Sequence, residues 1–172
     1  MSRFVGRLCV AVLILWPAWS LAYVEAPYTL GRVVEESTHI VLVEVARINA
    51  EKKLIIYRKV ENLKGEYPDE EIKHNIGERG FHEREWRTIM DWAEVGKRAV
   101  FFANADASET CIGHYWYQCY REEAWWGLQH GEPYMLRTYM GEIEPLAEAV
   151  RAILRKEEVV VPGLVNRNRE QL

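Results

Sequence analysis

The chain has 172 residues, with 22 Lys and Arg against 26 Asp and Glu, a net charge of −4. That acidic balance, with no Lys/Arg cluster longer than two or three, argues against nucleic acid and anionic membranes as partners, since both reward basic patches. A chain of this size can bury about two thirds of its unfolded surface, enough for a self-sufficient core that needs neither metal nor many disulfides.

The first 22 residues carry Arg3 and Arg7, an apolar run from Leu8 to Trp16, and the small-residue site Ser20-Leu21-Ala22, the pattern of a cleaved export signal. The run is shorter than the roughly 20 residues of a bilayer-spanning helix and is interrupted by Pro17, so stable membrane insertion is not expected after cleavage. No cysteine follows Ala22 to carry a lipid. Cleavage would leave 150 residues with a charge of −6, one globular domain over 23–165 and a polar tail over 166–172, secreted or periplasmic.

In chain order, Thr29 to Glu36 has modest helical character, with Leu30, Val33 and Val34 on one side. His39 to Ala46 is β-branched and apolar, as expected of a strand covered on both faces. Lys53 to Leu63 is its antiparallel partner across the turn Asn49–Lys52, and Glu71 to Ile76 reads as a short third strand. From Phe81 to Ala93, Trp86, Ile89, Met90 and Ala93 recur at offsets of three and four, which predicts a helix lying against a sheet. Arg98 to Ala103 reads as a central strand and Asn104 to Thr110 as a polar loop.

Cys111 and Cys119 are the only cysteines after the signal. In an oxidising compartment such a pair reads as a disulfide rather than a metal or redox site. Bridging needs Cα atoms within about 7 Å, so the segment must double back, with Gly113 the residue suited to the turn. Between these cysteines and Trp126 lie Tyr115, Trp116, Tyr117, Tyr120, Trp125 and Trp126, six of the 17 aromatics of the mature chain. Such a density has two readings. The rings fill the core between strands, or alternation turns one set outward as a binding platform, flanked by His114. Further on, Tyr134 to Tyr139 reads as a strand, Glu142 to Arg155 as an amphipathic helix with Pro145 in its first turn, and Val159–Val161 as an edge strand.

The succession of a short helix, Ser37-Thr38-His39-Ile40-Val41-Leu42-Val43-Glu44-Val45, Tyr57-Arg58-Lys59-Val60-Glu61-Asn62-Leu63-Lys64-Gly65 and Glu94-Val95-Gly96-Lys97-Arg98-Ala99-Val100-Phe101-Phe102-Ala103 resembles the netrin-like or TIMP-like domains of secreted proteins. The likeness covers roughly Thr29 to Ala103. It implies a mostly β, α+β fold: a small five-stranded barrel of the OB type with flanking helices and an amphipathic C-terminal helix. Members that inhibit metalloproteases begin with a zinc-chelating cysteine, whereas the mature start here would be Tyr23-Val24-Glu25, so that mechanism is not carried over.

Catalytic signatures are sparse. Ser37 and Ser108, the only serines after the signal, sit in no Gly-x-Ser-x-Gly turn, and the five histidines form no close ligand pair, so no cofactor or metal is expected. The leading expectation is a non-catalytic interaction module whose aromatic hairpin contacts a protein, a cell-envelope component or a glycan. The competing one is a small extracytoplasmic hydrolase pairing Glu122 or Glu123 with His114 or His130.

Overall fold

The computed structural model describes residues 29–77, 83–122, 124–129 and 141–160; the segment read as an export signal, the strand read at Tyr134–Tyr139 and the stretch read as a polar tail lie outside them. Thr29 caps helix α1 (Leu30–Glu36) by accepting from the Arg32 amide at 3.3 Å, and Leu30, Val33 and Val34 are buried one turn apart. Strands β1 (His39–Asn49), β2 (Leu54–Lys64) and β3 (Glu71–Asn75) follow as an antiparallel meander. Helix α2 (Glu83–Trp92) leads to β4 (Arg98–Asn104), which returns to pair with β1. Then come β5 (Ala107–Cys111), β6 (Trp116–Glu122), β7 (Trp125–Leu128) and helix α3 (Ile143–Leu154).

Hydrogen bonding closes these strands into a barrel in the order β1-β2-β3-β7-β6-β5-β4. The fold is mostly β with flanking helices, but the barrel has seven strands rather than the five expected. One of the added strands is β5, which lies in the stretch read as a polar loop. Its buried inward side chains are Ser108 and Thr110, so the polar and apolar positions are inverted and the usual alternation of a strand is lost. Val159 and Val160 belong to no strand, contrary to the expected edge strand.

Closure gives the barrel wall two apolar faces. Val41, Val43 and Val45 of β1 point inward with Ile55, Tyr57, Ile72, Phe101, Tyr117 and Trp126. Ile40 and Leu42 point outward and are covered, with Val100, Phe102, Cys111 and Trp116, by α1 and α3. This is why β1 reads as an unbroken apolar run. Helix α2 sets Ile89 fully inside the interior cluster, with Trp86, Met90, Trp92 and Ala93 packed against that cluster.

Helix α3 seats Ile143, Leu146, Ala147 and Val150 on the outer layer. Pro145 stands in its first turn, where no intrahelical amide bond is lost. At the β5–β6 turn, Gly113 has φ +91°, and a Cβ there would lie 2.8 Å from the Gly141 carbonyl oxygen. Both the backbone angle and the space reserve that position for glycine.

Candidate functional site

The register of the β5–β6 hairpin decides the fate of the aromatic segment and of the cysteines. Cys111 faces Trp116, and Cys119 faces Ser108. The cysteines are therefore three rungs apart, about 10 Å along the strands at about 3.4 Å per residue. They also occupy opposite faces, Cys111 under the outer helices and Cys119 inside the barrel. Both are free thiols. The expected disulfide is corrected accordingly: the chain does double back, but the turn at Ile112–Tyr115 leaves the cysteines out of register and out of phase.

Burial pushes the Cys111 thiol up to about 12 and the Cys119 thiol far above its ordinary value, so neither supplies thiolate at neutral pH. Alkylation by iodoacetamide at pH 8 is expected to leave both positions unmodified in the folded protein and to label both in 6 M guanidinium. Peptide mass spectrometry reads the result, and fast native labelling of either position would contradict the packing.

The six aromatics separate into three environments. Tyr117 and Trp126 point into the barrel, and Trp116 is buried outside it against Phe102, ring centroids 5.5 Å apart. Tyr115 is half-buried against the interior cluster. Tyr120 and Trp125 remain on the surface, 43% and 37% exposed. A continuous platform of all six rings is not formed. The core reading holds for Trp116, Tyr117 and Trp126, and the outward reading for Tyr120 and Trp125.

These two outward rings are neighbours. Tyr120 faces Gly127 and Glu122 faces Trp125 across the β6–β7 ladder, so Tyr120 and Trp125 form a diagonal pair, which spans about 7–8 Å between residues. A Cβ on Gly127 would meet nothing within 4 Å, so the position between the two rings on this face is open. Lys73 of β3 places its ammonium 5.4 Å from the Trp125 ring centroid, within cation–π range.

On its other side Tyr120 borders a cleft of about 170 Å³ between α1 and the outer face of β4, β5 and β6. Phe102 and Val33 contribute apolar surface; Glu36, Asn104, Glu109 and Gln118 contribute polar groups. The Gln118 amide donates to the Glu109 carboxylate, and Arg32 Nε donates to Glu36 at 2.7 Å. None of these four polar residues stood out in the sequence. Asn104 and Glu109 fall where a loop was read, and only the small inward pair Ser108 and Thr110 hinted at a strand.

Inside the barrel a second polar group had no sequence signal. The Tyr57 and Tyr117 hydroxyls are 2.8 Å apart, and Tyr117 is also 2.8 Å from His74 Nδ1. All three side chains are buried, and His74 Nε2 has no hydrogen-bond partner among the described residues. Desolvation raises both phenols above their ordinary values and lowers His74 to about 3, so the trio is neutral at physiological pH. It links β2, β3 and β6 across the place where β3 and β7 share only two rungs, His74 with Trp126 and Asn75 with Gly127. The trio therefore supports barrel closure, and burial keeps it from acting on a ligand.

The residues named for hydrolysis do not converge. His114 is exposed at the β5–β6 turn, in a separate polar hollow of about 470 Å³ near Arg98 and Glu144, which are paired at 3.1 Å. Glu122 ends β6, and the seven residues of that strand put it roughly 20 Å from the His114 end. Glu123 and His130 lie outside the described residues. Among the described residues, no three His, Cys, Asp or Glu side chains are grouped to hold a metal ion, and no helix is long and apolar enough to cross a membrane.

No protein-family model matches this chain, and neither a curated protein nor a solved structure is significantly similar to it.

Proposed function

We propose that this chain is an exported, non-catalytic binding module whose working surface is the outer face of β6 and β7, centred on Tyr120 and Trp125. The observation that carries the reading is the pair of adjacent outward rings beside the open position at Gly127, the two exposed Tyr and Trp side chains among the described residues. Exposed Tyr and Trp supply broad, rigid contact area at small entropic cost, which is why they dominate binding surfaces. Export rests on the N-terminal signal pattern. The kinship proposed with netrin-like domains rests on the Thr29–Ala103 likeness, which spans α1 to β4; the barrel has seven strands where the likeness implies five. The partner class is a protein, an envelope component or a glycan.

The test is capture from an envelope fraction by immobilised wild type, Tyr120→Ala and Trp125→Ala. Each variant is expected to lose partner recovery by about tenfold, the scale of a central aromatic contact. Thermal unfolding should change by less than about 1 kcal/mol, since neither ring is in the core. Equal recovery by all three proteins would refute the assignment of this face.

A further inference from the structure

We infer that the cleft between α1 and the outer face of β4, β5 and β6 binds a single uncharged sugar ring, with Tyr120 as one wall. The inference rests on the reading of the Tyr120–Trp125 face as a binding surface, because the cleft opens on the opposite side of the same tyrosine.

Three features select the ligand class. The first is the mixture of surfaces. The exposed lining is mostly apolar, with Phe102, Val33 and Tyr120 among its residues, and two carboxylates and two amides stand with them. A sugar ring has this same division, with C–H groups on its faces and hydroxyls around its edge. An apolar ligand would desolvate four polar side chains without replacing their hydrogen bonds, at a cost for each.

The second feature is charge. Among the described lining residues the charged ones are Glu36, neutralised by Arg32, and Glu109, so the remaining charge is negative and phosphate, sulfate and uronate groups are disfavoured. A cationic ligand is disfavoured for a different reason. Arg32 already pairs with Glu36, and Gln118 already donates to Glu109, so neither carboxylate gains its first partner from the newcomer. The field favours a neutral molecule rich in hydroxyl donors, which the carboxylate oxygens accept.

The third feature is size and preorganisation. A cleft of about 170 Å³ is smaller than the roughly 300 Å³ at which drug-sized pockets begin, and it suits one ring. The Glu109–Gln118 and Glu36–Arg32 contacts fix side chains before binding, so less rotamer freedom is lost when a ligand arrives. Only one ring is held, and the expected affinity for a monosaccharide is millimolar.

The experiment is an amide NMR titration of the folded chain with glucose, galactose, mannose and N-acetylglucosamine, with glucuronate as the anionic control. At least one neutral sugar is expected to move resonances at Asn104, Glu109, Gln118 and Tyr120. Tyr120→Ala and Gln118→Ala should each weaken that sugar by about tenfold, and glucuronate should bind more weakly than its neutral counterpart. The inference is overturned if no neutral sugar moves these resonances, or if glucuronate moves them equally.

Capture by the Trp125→Ala protein separates this failure from failure of the binding-module reading, since Trp125 does not line the cleft. Lost partner recovery together with unmoved cleft resonances would remove the sugar assignment and keep the module. Shifted cleft resonances with full recovery by Trp125→Ala would keep the sugar site and remove the β7 face from the working surface.

Discussion

Phe101→Ala is expected to lower the unfolding free energy by about 4 kcal/mol, in the range for deleting a large buried ring. Phe101 is fully buried at the centre of β4, between Val41 of β1 and Thr110 of β5. Its ring meets the edges or faces of Tyr67 and Trp126 at 5.4 Å and His74 at 5.8 Å. These neighbours come from strands and a loop on different sides of the barrel. Collapse around the cavity would require several of them to move together, so relaxation recovers little of the loss. Urea unfolding gives the measurement. Val60→Ala is the control, because Val60 is exposed on β2 and its loss should stay within about 0.5 kcal/mol. A difference below about 2 kcal/mol between the two variants would mean that the interior is not closed around this ring.

The same ring shows what the sequence does and does not convey. Arg98-Ala99-Val100-Phe101-Phe102-Ala103 declares a central strand because both faces are apolar, and the structure accounts for each: Phe101 enters the barrel while Phe102 lies under the outer helices. Helices α1, α2 and α3 and strands β1 to β4 were legible for similar reasons, since their apolar periods match the surfaces they bury. Strand β5 was not. A strand is announced by apolar side chains on its buried face, and here Ser108, between Ala103 and Cys119, and Thr110, between Phe101 and Tyr117, occupy that face. The strand count, and with it the size of the barrel, was hidden by that exchange.

The candidate site was legible only in part. Alternation predicted that the aromatic segment must split between two faces. It could not show that the outer face is covered at Trp116 and bare at Tyr120, because coverage depends on where α1 and α3 end. The cysteine error has the same origin. Eight residues and an intervening glycine are compatible with several hairpin registers, and the one adopted pairs Cys111 with Trp116. Register is a long-range property, set by how the whole barrel closes.

Acid is expected to destabilise this protein through His74, by about 2 to 3 kcal/mol between pH 6.5 and pH 4.5. Burial holds the His74 pKa at about 3 in the folded chain, against about 6.5 when unfolded. Between those values the unfolded chain binds a proton that the folded chain refuses. Stability therefore falls as pH drops below 6.5, and this contribution is whole above it. The groups around the imidazole supply no compensating charge: Tyr57 and Tyr117 carry raised phenol pKa values, as does the Cys119 thiol beside them, and all are neutral throughout this window. The measurement is the urea-unfolding free energy of wild type and His74→Leu at both pH values. The variant gives up the Tyr117 contact and is weaker at pH 6.5, but it should lose about 2 to 3 kcal/mol less on acidification, with the exposed carboxylates and other histidines cancelling in the comparison. Equal acid losses in the two proteins would place a proton, or solvent, on His74 in the folded barrel, and the seam between β3 and β7 would then be open to water at the point where the hydrogen-bonded trio is needed to hold it shut.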